Sequence, residues 1–169
     1  MIARPLAASD GAAWHRLLVV GAEEFPDGFL QSTDEVRAIP SDRHGAIAGS
    51  GDWHGVFAGA ALIGFAALRR GGPSRIRHRA SLGPVFVAAT HQGTGAADRL
   101  MNHLVDTARA DGIAWLDLWV AAANPRAHAF YRRHGFTDIA RRPDAVRLND
   151  ASATDILMTR HLEPPAPGG

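Results

Sequence analysis

The sequence contains no cysteine, and none of its 18 basic residues is lysine; every one is arginine. The absence of thiols excludes disulfides, thiolate nucleophiles, Cys-ligated zinc and iron–sulfur clusters, and it suits a reducing cytoplasm. Without lysine there is neither a phosphate-loop lysine nor a Schiff base for pyridoxal phosphate. Tyrosine occurs once, at Tyr131, so any role that needs a phenol has a single candidate. Charge imbalance is equally scarce: 18 basic and 17 acidic side chains leave a formal +1, which gives no general field for holding nucleic acid or an anionic membrane. The longest apolar stretch, Val56 to Leu68, is broken by Gly59 and Gly64 and falls short of the ~18–20 residues that span a bilayer. No secretion signal is read at the start of the chain. The expectation is a cytoplasmic protein with no membrane or nucleic-acid partner and no bound metal.

What is present suits a globular domain. The chain has 169 residues, 46% apolar and 21% charged, consistent with one domain over residues 1–163 followed by a disordered tail, 164–169. A first strand is expected at Ile2–Leu6. Ser9 and Asp10 can cap a helix whose apolar positions Ala13, Trp14, Leu17, Leu18 and Gly21 recur at helical spacing, ending near Phe25-Pro26. A weak helix over Ser32–Ala38 precedes a Gly-, Ser- and Asp-rich stretch that reads as loop. Trp53–Ala58 and Ala61–Leu68 flank a Gly59-Ala60 turn and predict an antiparallel hairpin. A third strand is expected from Arg75 to Val87, and its Gly83-Pro84 pair marks a bulge or a point where pairing stops. A helix over Gly95–Ala110 carries one apolar stripe, and a strand at Ala114–Val120 follows. Asn124-Pro125 starts a short helix that Gly135 ends, and two last strands are read at Phe136–Ala140 and Ile156–Thr159.

Two segments carry the chemistry. In Val85-Phe86-Val87-Ala88-Ala89-Thr90-His91-Gln92-Gly93-Thr94-Gly95-Ala96-Ala97 a strand runs into a glycine-containing loop that opens a helix. Such a loop exposes backbone N–H groups at the positive end of the helix dipole, so it can hold a diphosphate without lysine. Its place in mid-chain, after an antiparallel run, differs from that of a Rossmann dinucleotide loop. The second segment is Asn124-Pro125-Arg126-Ala127-His128-Ala129-Phe130-Tyr131-Arg132-Arg133-His134-Gly135-Phe136.

With these two segments the chain resembles the GNAT superfamily of N-acetyltransferases. Gln92, Gly95 and Ala97 fill the family's acetyl-CoA pattern Q/R-x-x-G-x-G/A. Asn124, Ala127, Phe130, Tyr131, Gly135 and Phe136 fill its later segment N-x-x-A-x-x-[FL]-Y-x-x-x-G-F. The order of elements also matches, so the resemblance covers Ile2 to Leu162. It implies an α/β (α+β) fold, with a mixed, mostly antiparallel sheet of about six to seven strands flanked by about four helices. The implied cosubstrate is acetyl-CoA. The backbone at Val85, Phe86 and Val87 would pair with the pantetheine arm, while Gln92, Gly93, Thr94, Gly95, Ala96 and Ala97 would hold the diphosphate. Asn124 would also contact the cofactor, and Tyr131 would donate a proton to the leaving thiolate. Ala89 and Gln92 depart from the family's more frequent Pro and Arg.

An alkylamine of pKa ~10.4 must lose a proton before it attacks, at about 4–5 kcal/mol at pH 7. Candidate bases are Glu24 beside Phe25, its neighbour Glu23, His78 on the strand leading to the acetyl site, and Asp117 on the next strand. The implied activity is direct transfer of acetyl to a primary amine of a small molecule or a protein, with a homodimer as a possible assembly. The alternative is a CoA-binding or regulatory module that keeps the fold and has lost catalysis. Glu23–Gly51, the segment least patterned in the sequence, and Arg142–Asp155 would shape the acceptor pocket.

Overall fold

The computed structural model describes residues 1–148 and 151–162; the expected C-terminal tail lies outside the described residues. Seven strands are hydrogen-bonded in the order β1-β2-β3-β4-β5-β7-β6: β1 Ile2–Pro5, β2 Trp53–Ala58, β3 Ala61–Arg70, β4 Arg79–Val87, β5 Trp115–Ala121, β6 Thr137–Leu148 and β7 Ala151–His161. Five α-helices join them: α1 Gly11–Glu24, α2 Thr33–Arg37, α3 Ser41–Ala48, α4 Ala96–Ala110 and α5 Pro125–Arg133. The expected mixed α/β architecture is present, with one helix more than anticipated. Among the described residues no helix is long and apolar enough to cross a membrane.

The chain forms two compact units, Met1–Leu68 with Pro84–Leu104, and Arg69–Gly83 with the chain from Val105 onward. In the first unit β1 runs antiparallel to β2, from Ile2 opposite Phe57 to Pro5 opposite His54. β2 and β3 form the expected hairpin, with a bulge between Val56 and Phe57. The turn needs Gly59 at φ +59°, where an L side chain is strained. Trp14, Leu18, Ala22, Phe29, Val36, Trp53, Phe65 and Phe86 share the buried core of this unit. Trp14 and Leu18 come from one stripe of α1, as the helical spacing implied. α1 begins at Gly11, one residue later than a Ser9 cap would put it, with Asp10 at the N-cap position and making no side-chain cap bond to the helix. Asp10 sits in a 3-10 turn, where its carboxylate accepts from Ala7 N at 2.7 Å and pairs with Arg4.

The sequence predicts loop after Ala38, whereas Ser41–Ala48 form the helix α3. Gly45 lowers helix propensity by about 1 kcal/mol relative to Ala, but a Cβ there would lie 3.0 Å from the Ala8 carbonyl oxygen, and the close approach of α3 to α1 rests on Gly11. A Cβ on Gly11 would lie 2.5 Å from the Gly45 amide nitrogen and 2.6 Å from the His44 carbonyl carbon. The missing Cβ of Gly11 permits the backbones to meet so closely, and the packing outweighs the propensity.

In the second unit β4 pairs in parallel with β5, Arg79–Ser81 opposite Trp115–Asp117, and β5 and β7 form an antiparallel ladder from Trp115–His161 to Ala121–Asp155. The strand expected to begin at Arg75 begins instead at Arg79, because Ser74–Ile76 close a 3-10 turn after Pro73. Likewise β6 and β7 are far longer than anticipated. β6 carries register shifts between Asp138 and Ala140 and between Arg142 and Val146. These bulges break the two-residue alternation that marks a strand in sequence. Asp144 takes φ +51° there and accepts from Arg147 and Ser152.

Candidate active site

The strand-to-helix junction lies in the first unit. After Val87 a 3-10 turn, Ala89–His91, leads through Gln92 to Gly93 at φ +76° and Gly95 at φ +85°. These are left-handed values that favour glycine. Both glycines are exposed, and a Cβ built on either meets no atom within 4 Å. Braces hold the loop open: Thr94 Oγ1 donates to the His91 carbonyl at 2.7 Å, and the Thr90 hydroxyl lies 3.0 Å from His91 Nδ1. The amide of Arg99 donates to the Gly95 carbonyl at 2.9 Å, the first bond of α4. The main-chain N–H groups of Gly93, Thr94, Gly95, Ala96 and Ala97 thus precede the helical ladder, at the end that carries partial positive charge. These residues fit an anionic diphosphate: the donors are preset and the glycines leave space for its approach. Asp98, exposed in the first helical turn, is the unfavourable charge nearby.

Gln92 has a part the motif did not suggest. Its Nε2 donates to the Val87 carbonyl at 3.0 Å, and its own N–H donates to the Ala89 carbonyl. It therefore clips the loop back onto β4 and occupies one main-chain group of that strand. Phe86 is buried, and Val85 beside it is half-buried. A Cβ on Gly21 of α1 would lie 3.2 Å from the Phe86 ring, and one on Gly64 of β3 would lie 2.8 Å from the Phe86 carbonyl oxygen. Two glycines thus set the position of Phe86 from both sides. The Phe25 ring lies 6.1 Å from that of Phe86, which brings the exposed end of α1, with Glu24, toward the same strand. Glu23 is ion-paired with Arg37, whereas Glu24 has no ion pair among the described residues.

In the second unit Asn124 caps α5, its side chain accepting from Ala127 N at 3.0 Å. Its carboxamide NH2 group remains as a donor. Tyr131 projects from α5 into buried surroundings, edge-on to Phe130 and Phe136 with ring centroids 5.5 and 5.9 Å away. Burial pushes its phenol up to about 12, because the phenolate would lose its hydration. Among the described residues its hydroxyl has no hydrogen-bond partner. Gly83 in β4 adopts φ +135°, and its carbonyl accepts from the Arg69 guanidinium. Pro84, half-buried, follows with no N–H to donate.

His78 is exposed and immediately precedes β4. It lies roughly 16 Å from Gly83 at the strand rise of about 3.3 Å per residue. Asp117 is tied down: Arg79 binds both its oxygens, at 2.9 and 2.6 Å, and Thr159 Oγ1 donates at 2.6 Å. That network explains Asp117 without a role as base. His103 of α4 is half-buried, its Nε2 2.9 Å from Nδ1 of the buried His54. No sequence spacing joins two residues so far apart along the chain. Among the described residues no three His, Asp or Glu side chains gather to hold a metal ion.

The comparisons with known proteins agree with this geometry. The acetyltransferase (GNAT) family matches over residues 14–136. An uncharacterized N-acetyltransferase of Mycobacterium tuberculosis is 30% identical over 130 residues, covering 77% of this chain and 70% of that protein. Among solved structures, a GNAT-family acetyltransferase from Streptococcus pneumoniae superposes with a TM-score of 0.83 at 20% identity, over 96% of this chain and 99% of its own. A putative acetyltransferase from Salmonella typhimurium, solved with its cofactor acetyl-CoA, gives a TM-score of 0.83 at 19% identity, over 100% and 98% of the two chains. The fold and the open loop define a member of the acyltransferases. The chain belongs to the acetyltransferase (GNAT) family.

Proposed function

We propose that the protein transfers the acetyl group of acetyl-CoA directly to a primary amine of a small molecule or a protein, with no acetyl-enzyme intermediate. The single observation that carries this proposal is the run of N–H groups from Gly93 to Ala97 ahead of the first bond of α4, in a loop whose two glycines are exposed and leave open space where a side chain would stand. Acetyl-CoA supplies an activated acyl carbon and a thiolate leaving group. The loop binds the diphosphate through main-chain donors, and the backbone of Val85, Phe86 and Val87 pairs with the pantetheine arm. Asn124 offers its amide NH2 to the same molecule.

The amine nitrogen, as its free base, attacks the thioester carbon; an N–C bond forms, the C–S bond breaks, and the sulfur leaves as thiolate. The amine's proton goes to a base or to water. Glu24 is the favoured base, because it is free of ion pairs and adjoins Phe25 against Phe86. His78, before the far end of β4, is the second candidate. Tyr131 serves the other end of the reaction. With its phenol pushed up to about 12 it stays a neutral donor throughout the working pH range. Full transfer of the proton of a phenol of pKa ~10 to a thiolate of pKa ~8.5 is uphill by roughly 2 kcal/mol in water, and by more where burial raises the phenol alone. Its contribution is therefore a hydrogen bond to the charge developing on sulfur, with transfer completed as the same dry surroundings raise the basicity of the thiolate.

One observation favours the alternative of a CoA-binding module without turnover: the Val87 carbonyl, part of the strand that would pair with pantetheine, is already occupied by Gln92. Thiol release from acetyl-CoA across a panel of alkyl and aryl amines separates the two. Amine-dependent release establishes the enzyme. Saturable CoA binding with no release on any amine establishes the module.

A further inference from the structure

His54 and His103 form a contact that the proposed reaction does not use. Both belong to the first unit: His54 stands on β2, 1% exposed, and His103 stands on α4, half-buried. Nδ1 of His54 lies 2.9 Å from Nε2 of His103, and the rings are inclined by 55° with centroids 5.0 Å apart. In a hydrogen bond between two imidazoles one nitrogen carries the hydrogen and the other is bare. The neutral pair meets that condition. So does the pair with one added proton, because the imidazolium still faces a bare nitrogen. Two added protons break it: each imidazolium carries hydrogen on both nitrogens, so two N–H groups would face each other and two like charges would meet at a contact half of which is closed to water.

The charged groups around the contact are of both signs. At the register opposite His54, β1 presents Pro5 and β3 presents Ala66, neither of which titrates. Asp52 lies two residues before His54, and on α4 Arg99 and Asp106 lie one turn to either side of His103. Asp106 is paired with Arg109. The hydrogen bond itself therefore decides how many protons the pair can hold. Its place in the fold gives it leverage, since His103 lies two turns along α4 from Ala96, where the glycine loop enters the helix.

We propose that the contact between His54 and His103 is a pH-sensitive latch that holds α4, and with it the glycine loop, to β2, and that it opens when both imidazoles are protonated. With the latch closed the folded protein takes up at most one proton at this pair. The unfolded chain takes up two below the ordinary histidine value of ~6.5. The unfolded state binds more protons, so the latch's contribution is full above that value and is lost as pH falls below it. The folding constant drops by up to about tenfold per pH unit for each proton of difference. Weakened CoA binding on opening is the one part that rests on the function proposed above.

The test uses the full chain. Protein labelled with 15N-histidine is titrated from about pH 8 to about pH 5, with the ring nitrogens of His54 and His103 followed by NMR and assigned through His103→Gln. At the start one nitrogen of the contact should be protonated and the other bare. Only one of the two rings should become an imidazolium while the α4 amide resonances keep their folded positions. Urea melts over the same range compare the wild type with the double variant His54→Asn with His103→Gln, whose amides do not titrate. Whatever its stability at the start, the double variant should gain on the wild type by up to about tenfold per pH unit below about pH 6. CoA affinity, measured by calorimetry, should fall about fivefold more in the wild type than in the double variant over that range, the phosphates of CoA titrating alike in both. The latch is overturned if both rings become imidazolium with α4 unmoved, if the two proteins share one pH slope of stability, or if their CoA affinities fall in parallel. A protein that binds no CoA at any pH refutes the proposed function instead, and the ring titration and the melts then decide the latch.

Discussion

Replacing Tyr131 by Phe removes one hydroxyl and nothing else, and the structure separates its effect on stability from its effect on the reaction. The ring stays packed edge-on against Phe130 and Phe136, and the hydroxyl makes no hydrogen bond among the described residues. No intramolecular bond is lost, and the variant should unfold within about 1 kcal/mol of the wild type. A donor to the leaving sulfur, by contrast, contributes about 10²–10⁴ in rate, or roughly 3–5 kcal/mol at 1.36 kcal/mol per tenfold. The assay is thiol release at saturating acetyl-CoA, with kcat and the KM for acetyl-CoA determined separately. A fall in kcat of a hundredfold or more with KM changed less than about threefold is expected. The pH profile adds a second check. Because burial holds the phenol protonated up to about 12, Tyr131 should cause no loss of activity between pH 7 and 10, and any alkaline limb in that range should persist in Tyr131→Phe. The reasoning fails if kcat drops less than about fivefold, or if activity and the folded state disappear together.

Three further outcomes follow from the geometry. Gly95→Val places a branched side chain at φ +85°, which costs about 1–2 kcal/mol of backbone strain; since its Cβ meets no protein atom, folding should survive while calorimetry shows CoA binding weakened more than tenfold. An unchanged affinity would mean that the diphosphate binds elsewhere. Gly11→Ala drives a Cβ to 2.5 Å from the Gly45 nitrogen and should lower stability by about 2 kcal/mol in urea melts, against the gain an exposed helical Ala would bring. Asp10 is held below the usual carboxylate range, chiefly by the hydrogen bond from Arg4 and further by Ala7 N. Its stabilisation is present at neutral pH and is lost as pH falls through and below its ordinary value. Asp10→Asn should cost about 1 kcal/mol at pH 7, discounted because the Arg4 side chain is 42% exposed. The difference from wild type should close below about pH 4, and a gap that widened there would refute the assignment.

The glycine loop was legible because its chemistry is written in residue type: Gly93 and Gly95 stand where φ is positive, and the stripe Leu100, Met101, Leu104 behind them is fully buried. The hairpin on Gly59 and the cap at Asn124 were legible for the same reason. What escaped notice depends on tertiary contact. The helix α3 packs its backbone at His44 and Gly45 against Gly11 of α1, and glycine in isolation argues against a helix. The long β6 is hidden by bulges that put successive residues out of alternation. Among the candidate site residues, Tyr131 and Glu24 could be named from the chain, but the Glu23–Arg37 ion pair and the clip from Gln92 to Val87 could not. Each joins groups whose side chains carry no mark of their partner.

Whether the main-chain amides from Gly93 to Ala97 cradle the phosphates of coenzyme A is read by titrating 15N-labelled protein with CoA and following those five amide resonances. They should move together, downfield and to saturation, and inorganic pyrophosphate at higher concentration should move the same set. Contradiction would be a titration in which CoA saturates the protein while these five resonances stay in place.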